Sequence, residues 1–259
     1  MPFAHVNGVD LHYEIDGEGP TIVFAHGGAS THLHWWQQVA ALRGSYRCIT
    51  YDARGFGWSG AEPTTQGTDV HHLDLLGLLD ALGVERAVLV GQSMGGYAVS
   101  GVALNHPDRV TGLVMADTPF GFYTPELARW AEHMTEKLLA GFDVVAACAS
   151  PSFPERRPDL AFLFSYMARV NPARTGPRGL DAYEEMRNHP PVDYGDYAVP
   201  TLFIVGEEDE LTFPWLIEAT AAAIPHAELQ VIAGAGHSPY FEQAEAFNAI
   251  LTAWLKARS

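Results

Sequence analysis

The hydroxyl best placed to act as a nucleophile is that of Ser93, in Gly91-Gln92-Ser93-Met94-Gly95-Gly96. An apolar stretch, Ala87-Val88-Leu89-Val90, runs into it, and a helical stretch from Tyr97 leads away. A serine on a sharp strand-to-helix turn needs strained dihedrals, and its neighbours two residues away must lack side chains. Such a turn lifts Oγ above the sheet and aims the Met94 N–H and the helix N-terminus at a developing oxyanion. A bare G-x-S-x-G also fits an ordinary glycine-rich turn; its place between strand and helix favours the nucleophile.

A hydroxyl needs a base, and that base an orienting carboxylate. Of 12 histidines, His237 follows an apolar run, Leu229–Ala233, and the loop Gly234-Ala235-Gly236, and precedes the last helix. His5, His12, His71, His72, His106, His133, His189 and His226 fall on edges, helix faces or loops and read mostly as solvated. His32 and His34 form a pair with no carboxylate or cysteine beside them, so no metal is expected. For the acid, Thr201–Val205 runs into Gly206-Glu207-Glu208-Asp209. Asp209 is the choice, in the chain order Ser, Asp, His, with Glu207 and Glu208 as solvated loop charges. Asp117, after Leu113-Val114-Met115-Ala116, is the rival. The strand Ile22–Ala25 ends in His26-Gly27-Gly28, which offers the Gly28 N–H as second oxyanion donor and His26 as a structural hydrogen-bonding residue.

These residues need elements to hold them. Val9–Ile15 alternates apolar and polar and reads as an antiparallel edge strand. Thr21–Ala25, Tyr46–Tyr51, Arg86–Val90, Val110–Ala116, Thr201–Val205 and Leu229–Ala233 are short apolar runs, as in strands buried on both faces. Helices are expected over Asp69–Leu82, from Tyr97 to Leu104 and over Ala244–Leu255. The alternation predicts an α/β fold with a doubly wound, mostly parallel sheet. Residues 118–196 break it: they hold 9 of the 17 prolines and 11 of the 29 aromatics, with no convincing strand. Thr124-Pro125 reads as a helix start, with Leu127, Trp130, Met134 and Leu138 at helical spacing. Further helices fit Pro158–Val170 and Leu180–Asn188. The domains expected are a core of 1–117 and 197–259 and an inserted helical cap of 118–196.

Six blocks in order resemble the α/β-hydrolase superfamily over essentially the whole chain. They are His26-Gly27-Gly28, Asp52-Ala53-Arg54-Gly55-Phe56-Gly57-Trp58-Ser59, Gly91 to Gly96, Asn105-His106-Pro107-Asp108-Arg109-Val110, Gly206 to Asp209 and Gly236-His237. The resemblance implies that Asp52–Ser59 is a structural turn near the site. The opening Val6-Asn7-Gly8-Val9-Asp10-Leu11-His12-Tyr13 and the ending Gly236-His237 to Phe247 look like those of the small capped microbial members, which include esterases, enol-lactonases and C–C hydrolases. Dehalogenases and epoxide hydrolases carry Asp as nucleophile, where this chain has Ser93. C–C hydrolases tend to carry Trp after the catalytic His, where this chain has Ser238-Pro239-Tyr240. The expected activity is hydrolysis of a carboxylic ester or lactone of a small, moderately apolar substrate through an acyl-enzyme on Ser93. Alternatives are a C–C bond hydrolase, a cofactor-free dioxygenase and a small-molecule receptor on the same scaffold. Candidate substrate-binding residues are Trp130, Met134, Phe162, Phe164, Tyr166 and Met167 of the cap, with Trp35, Trp36 and Tyr240 beside the loops. No cofactor is implied.

Composition bounds the rest. Fifteen Lys and Arg against 31 Asp and Glu give a formal net charge of −16, which disfavours nucleic acid and anionic membranes as partners. No stretch is apolar enough to span a bilayer, and no secretory leader is recognisable at the N-terminus. Cys48 and Cys148 lack CxxC spacing and read as reduced thiols. A cytoplasmic monomer or homodimer acting on a small molecule is expected.

Overall fold

The computed structural model describes residues 2–28, 30–60, 69–172 and 180–258. Eight strands form one sheet: β1 (Phe3–Val6), β2 (Val9–Asp16), β3 (Thr21–Ala25), β4 (Arg47–Tyr51), β5 (Ala87–Gln92), β6 (Val110–Ala116), β7 (Thr201–Gly206) and β8 (Glu228–Ile232). Their spatial order is β1-β2-β4-β3-β5-β6-β7-β8. The β1–β2 and β2–β4 pairs are antiparallel; every other pair is parallel. This is the doubly wound, mostly parallel α/β sheet expected from the sequence.

Alternate side chains on each strand enter opposite layers. Val23, Ala25, Ile49, Leu89, Leu113 and Val205 pack against helices α2 (Asp69–Ala81), α3 (Gly95–Asn105) and α8 (Pro214–Ala223). Ile22, Phe24, Cys48, Val90, Val114 and Ile204 form the other layer with Trp35, Leu42 of α1 (Trp36–Leu42) and Phe247, Leu251 and Trp254 of α10 (Ala244–Lys256). Period-two alternation on strands that are apolar throughout makes both layers dry, so a central strand cannot slip by one residue without exchanging them.

Two edges differ from expectation. Val9–Ile15 lies one strand in, because Phe3–Val6 pairs outside it through a tight turn at Asn7 (φ 45°) and Gly8 (φ 72°). Both positions need left-handed backbone, and Asn-Gly is the pair that tolerates it. At the other end β8 is an edge strand with Gln230 and Val231 exposed, so it is not buried on both faces.

Between β6 and β7 the described residues form helices and no strand: α4 (Pro125–Leu139), α5 (Phe153–Arg156), α6 (Pro158–Ala168) and α7 (Leu180–Asn188). Thr124 caps α4, its Oγ1 accepting the Leu127 N–H at 3.2 Å, and Pro125 takes the first helical position, where no N–H is needed. Leu127, Trp130, Ala131 and Met134 make the buried stripe, and the Trp130 Nε1–H donates to the Leu211 carbonyl at 2.7 Å. No helix among the described residues is long and apolar enough to cross a membrane. Both cysteines are buried and neither is in a disulfide.

The two-layer core predicts a sharp contrast. Ile49, fully buried in β4, should lose about 2–5 kcal/mol on substitution by alanine, from lost transfer energy plus the residual cavity. Leu139→Ala, at a position 75% exposed, should stay within about 0.5 kcal/mol of wild type. Urea unfolding midpoints at unchanged slope measure both.

Candidate active site

Ser93 follows directly on β5 and has φ 49°, left-handed for a residue with a side chain. Its N–H donates to the Ala116 carbonyl on β6 at 3.1 Å, and its own carbonyl accepts the Gly96 N–H at 2.8 Å. Strand and helix therefore meet without a spacer, and two glycines permit it. A Cβ on Gly91 would overlap Val99 of α3, and one on Gly95 would overlap the Ala25 carbonyl of β3. The strain of such a turn is of the order of 1–3 kcal/mol, held by the packing around it.

The loop after β3 lies against this turn. The His26 Nε2 accepts the Ala53 N–H at 2.9 Å, which leaves Nδ1–H to donate to the Gly27 carbonyl at 2.7 Å. His26 thus ties the loop to the Asp52–Ser59 turn. A Cβ built on Gly28 would lie 3.8 Å from Met94 Sδ and 3.9 Å from its Cβ. Among the described residues, neither the Gly28 nor the Met94 N–H has an acceptor. In the Asp52 turn, Asp52 accepts from His32 N–H (2.8 Å), His32 Nδ1 (2.9 Å) and Trp58 N–H (2.9 Å). Burial opposes its charge, but these donors outweigh burial and hold the carboxyl below its usual range.

At the ends of β7 and β8, the His237 Nδ1 bonds Asp209 Oδ2 at 2.9 Å, with both side chains buried. Asp209 also accepts the N–H groups of Leu211 (2.7 Å) and Thr212 (3.0 Å) and the Thr212 hydroxyl (2.6 Å). Burial again opposes the charge; His237, the hydroxyl and the amides more than compensate and lower the carboxyl's pKa. Glu207 and Glu208 are exposed. Asp117 is buried after β6, where its Oδ1 accepts the Gly206 N–H at 2.8 Å; among the described residues it has no hydrogen bond to His237. Nor does the Ser93 hydroxyl hydrogen-bond to His237, or to any other described residue.

Two residues that hold the His237 loop carry no mark in the sequence. The Gln92 Nε2–H donates to the His237 carbonyl at 2.8 Å, joining the serine turn to the histidine loop. Glu242, on the single-turn helix α9 (Pro239–Glu242), accepts the N–H groups of Gly236 (3.1 Å) and Ser238 (3.2 Å), one on each side of His237. Its other oxygen accepts the Ser150 N–H at 3.0 Å, from the segment between β6 and β7. An acceptor for backbone groups is invisible in sequence because its partners have no residue type.

The aromatic candidates have different settings. Trp35 and Tyr240 are buried with ring centroids 4.3 Å apart, and the Tyr240 hydroxyl lies 3.2 Å from Ser30 Oγ. Trp130 and Met134 belong to the core stripe of α4, and Trp36 is exposed on α1. Phe162 and Tyr166, four apart on α6, stack on each other on its outward face at 63% and 54% exposure. Phe164, on the inward face, packs edge-on against His34 and Phe241. Met167 is partly buried against the same core.

Contrary to expectation, a carboxylate does lie beside this histidine pair, since His32 Nδ1 bonds Asp52, whereas the His34 ring nitrogens face Thr31 and the Phe164 carbonyl. His34 Nδ1 accepts the Thr31 N–H at 3.0 Å, its Nε2 lies 3.2 Å from the Phe164 carbonyl, and burial pushes its pKa down to about 4. Among the described residues, two groups bring possible ligand atoms within 4.8 Å of one another: His12, Glu14 and His32, and Asp117, Asp209 and His237. In the first, the imidazoles pack against each other and against the Trp58 ring.

The sequence profile of the alpha/beta hydrolase fold matches residues 20–244. A 2-hydroxy-6-oxononadienedioate/2-hydroxy-6-oxononatrienedioate hydrolase of Paraburkholderia xenovorans (strain LB400) is 29% identical, covering 95% of this chain and 91% of its own. Among solved structures, a thermophilic esterase from Thermogutta terrifontis superposes with a TM-score of 0.80 at 28% identity, over 99% of this chain and 98% of its own. The enol-lactonase from Burkholderia xenovorans LB400 gives 0.77 at 30% identity, over 98% of this chain and 100% of its own. Epoxide hydrolase 2 of Siraitia grosvenorii is 38% identical over 117 residues, and the chain spans only 37% of that relative's length.

The Glu242 anchor is testable by stability alone. Glu242→Ala leaves three buried amides without acceptors, each worth about 1–3 kcal/mol, so unfolding free energy should fall by about 3 kcal/mol or more. An unchanged urea midpoint would show that the anchor contributes nothing.

Proposed function

The chain belongs to the alpha/beta hydrolase fold family, and we propose that it is a serine hydrolase of carboxylic esters or lactones with Ser93 as nucleophile. The observation that carries the reading is the left-handed serine at the β5–α3 junction, with a buried imidazole–carboxylate pair on the same sheet edge. The substrate class has support in an esterase and an enol-lactonase that align over nearly all of both chains.

In this mechanism His237 Nε2 takes the Ser93 proton as Oγ attacks the carbonyl carbon. Asp209 accepts from Nδ1, which fixes the tautomer and steadies the imidazolium. The N–H groups of Gly28 and Met94, which no described residue occupies, receive the oxyanion; one such donor is worth about 3 kcal/mol in the transition state. His237 then protonates the leaving alkoxide. A water, deprotonated by the same ring, attacks the acyl carbonyl and frees Ser93.

Residues 118–196 serve as a cap in this reading. The Ser150 N–H and the Cys148 carbonyl engage the loop around His237, and Asn171 bridges the Ser30 carbonyl and the Gly57 N–H. These contacts of Cys148, Ser150 and Asn171 support that reading. A second reading, C–C bond hydrolysis by the same residues, is favoured by the ring-fission hydrolase relative, which aligns over 95% of this chain. The Ser238 hydroxyl, in the position after His237, donates to the Cys148 carbonyl at 2.6 Å.

A fluorophosphonate should label wild type and not Ser93→Ala. On a panel of short aryl esters and lactones, Ser93→Ala and His237→Ala should lose about 10³-fold or more in kcat, and Asp209→Asn a comparable factor. Wild type that is neither labelled nor active on any member would overturn the reading. Turnover of a vinylogous diketone without ester turnover would select the second.

A further inference from the structure

Asp117 sits beside the proposed acid and the mechanism above leaves it idle. It is fully buried, directly after β6, with left-handed backbone (φ 46°). Its Oδ1 accepts one N–H, from Gly206, and its Oδ2 has no hydrogen-bond donor among the described residues. One carboxyl oxygen of Asp117, one of Asp209 and a ring nitrogen of His237 lie within 4.8 Å of one another. Among the described residues, no Lys or Arg pairs with either acid.

Two carboxyls this close in a dry site, sharing one imidazole as neighbour, do not both ionise. The donors decide which keeps its proton. Asp209 receives four hydrogen bonds that favour an anion, and Asp117 receives one. We propose that Asp117 is a neutral carboxylic acid whose Oδ2–H hydrogen-bonds Asp209. It is a positioning residue that acts through Asp209, restraining the carboxylate and weakening its pull on the His237 imidazolium. Among the groups facing Asp117, Asp209 after β7 and Glu242 of α9 oppose a second negative charge, the Tyr240 hydroxyl and the His237 ring after β8 add none, and the Gly206 N–H favours one. Burial, then the charge of Asp209, raise its pKa well above the ordinary value, against the Gly206 N–H.

The proposal rests on Asp209 being the acid of a serine hydrolase, and its test separates the two. Asp117→Asn replaces O–H by N–H, and asparagine tolerates the left-handed backbone. It should keep kcat/KM within about threefold and leave the acid limb of the pH–rate profile in place. Asp117→Ser takes the carboxyl away. Asp209 then pulls harder on the imidazolium, so kcat/KM should fall about tenfold and the acid limb should move to higher pH. Melting temperature gives a readout without substrate. A carboxyl with a raised folded pKa gives stability that is fully present below its unfolded value, about 4, and is lost as pH rises through the folded value. Asp117→Asn should therefore gain on wild type progressively as pH rises above about 5. A difference that stays flat over that range, or a loss of about 10³-fold in kcat/KM for Asp117→Asn, would overturn the proposal. If no ester is turned over by any form, the serine-hydrolase reading fails while the melting series still decides the protonation of Asp117.

Discussion

The left-handed backbone at Ser93 is the constraint from which the rest of the site follows. A strand that turns into a helix with no intervening loop brings α3 against β5 and against the end of β3. That close approach requires glycine at 91 and 95 and brings Gly28 against Met94. The sheet order supplies the place for it. From β3 the chain winds one way to β4 and the other way to β5, so the β3–β5 boundary is the point where the winding reverses. A crevice opens outside the strand ends at such a point, and Gly28 and Ser93 stand on its two sides.

Charge inside the molecule is held by oriented amides and imidazoles more than by opposite side-chain ions. Asp52, Asp209 and Glu242 are all buried, and backbone N–H groups account for many of their partners. Arg54 with Asp74 is the one well-buried guanidinium–carboxylate pair among the described residues. Amides from a tight turn are already fixed when the turn forms, so they hold a carboxylate without ordering a long flexible side chain. The net charge of −16 is therefore a poor guide to the site, where each acid is governed by its own turn.

The residues proposed for chemistry were legible because chemistry demands a residue type. Ser93, Asp209 and His237 each follow an apolar strand, so type and position coincide in one string. Asn7-Gly8 also carried its turn openly, and the strand before it could have been inferred from that pair. Gln92 and Glu242 could not, since each binds backbone groups that any residue presents. The aromatics of α6 show a different limit. Spacing says that Phe162 and Tyr166 share a face, and not which face turns inward; Phe164, between them, is the one that packs.

Asp117 and Asp209 show the limit of reading acids by their place after a strand. Both follow apolar parallel strands that are direct neighbours, and both side chains are buried at the same sheet edge. What separates them is the backbone that follows. After Asp209 the chain folds back so that the amides at 211 and 212 and the Thr212 hydroxyl all point at the carboxylate. At Asp117 the left-handed turn carries the chain away, and a single amide, from the neighbouring strand, reaches the carboxyl. A difference of three hydrogen bonds favouring the anion, each charge-assisted, pushes the pKa values of two otherwise similar acids apart, that of Asp209 down and that of Asp117 up.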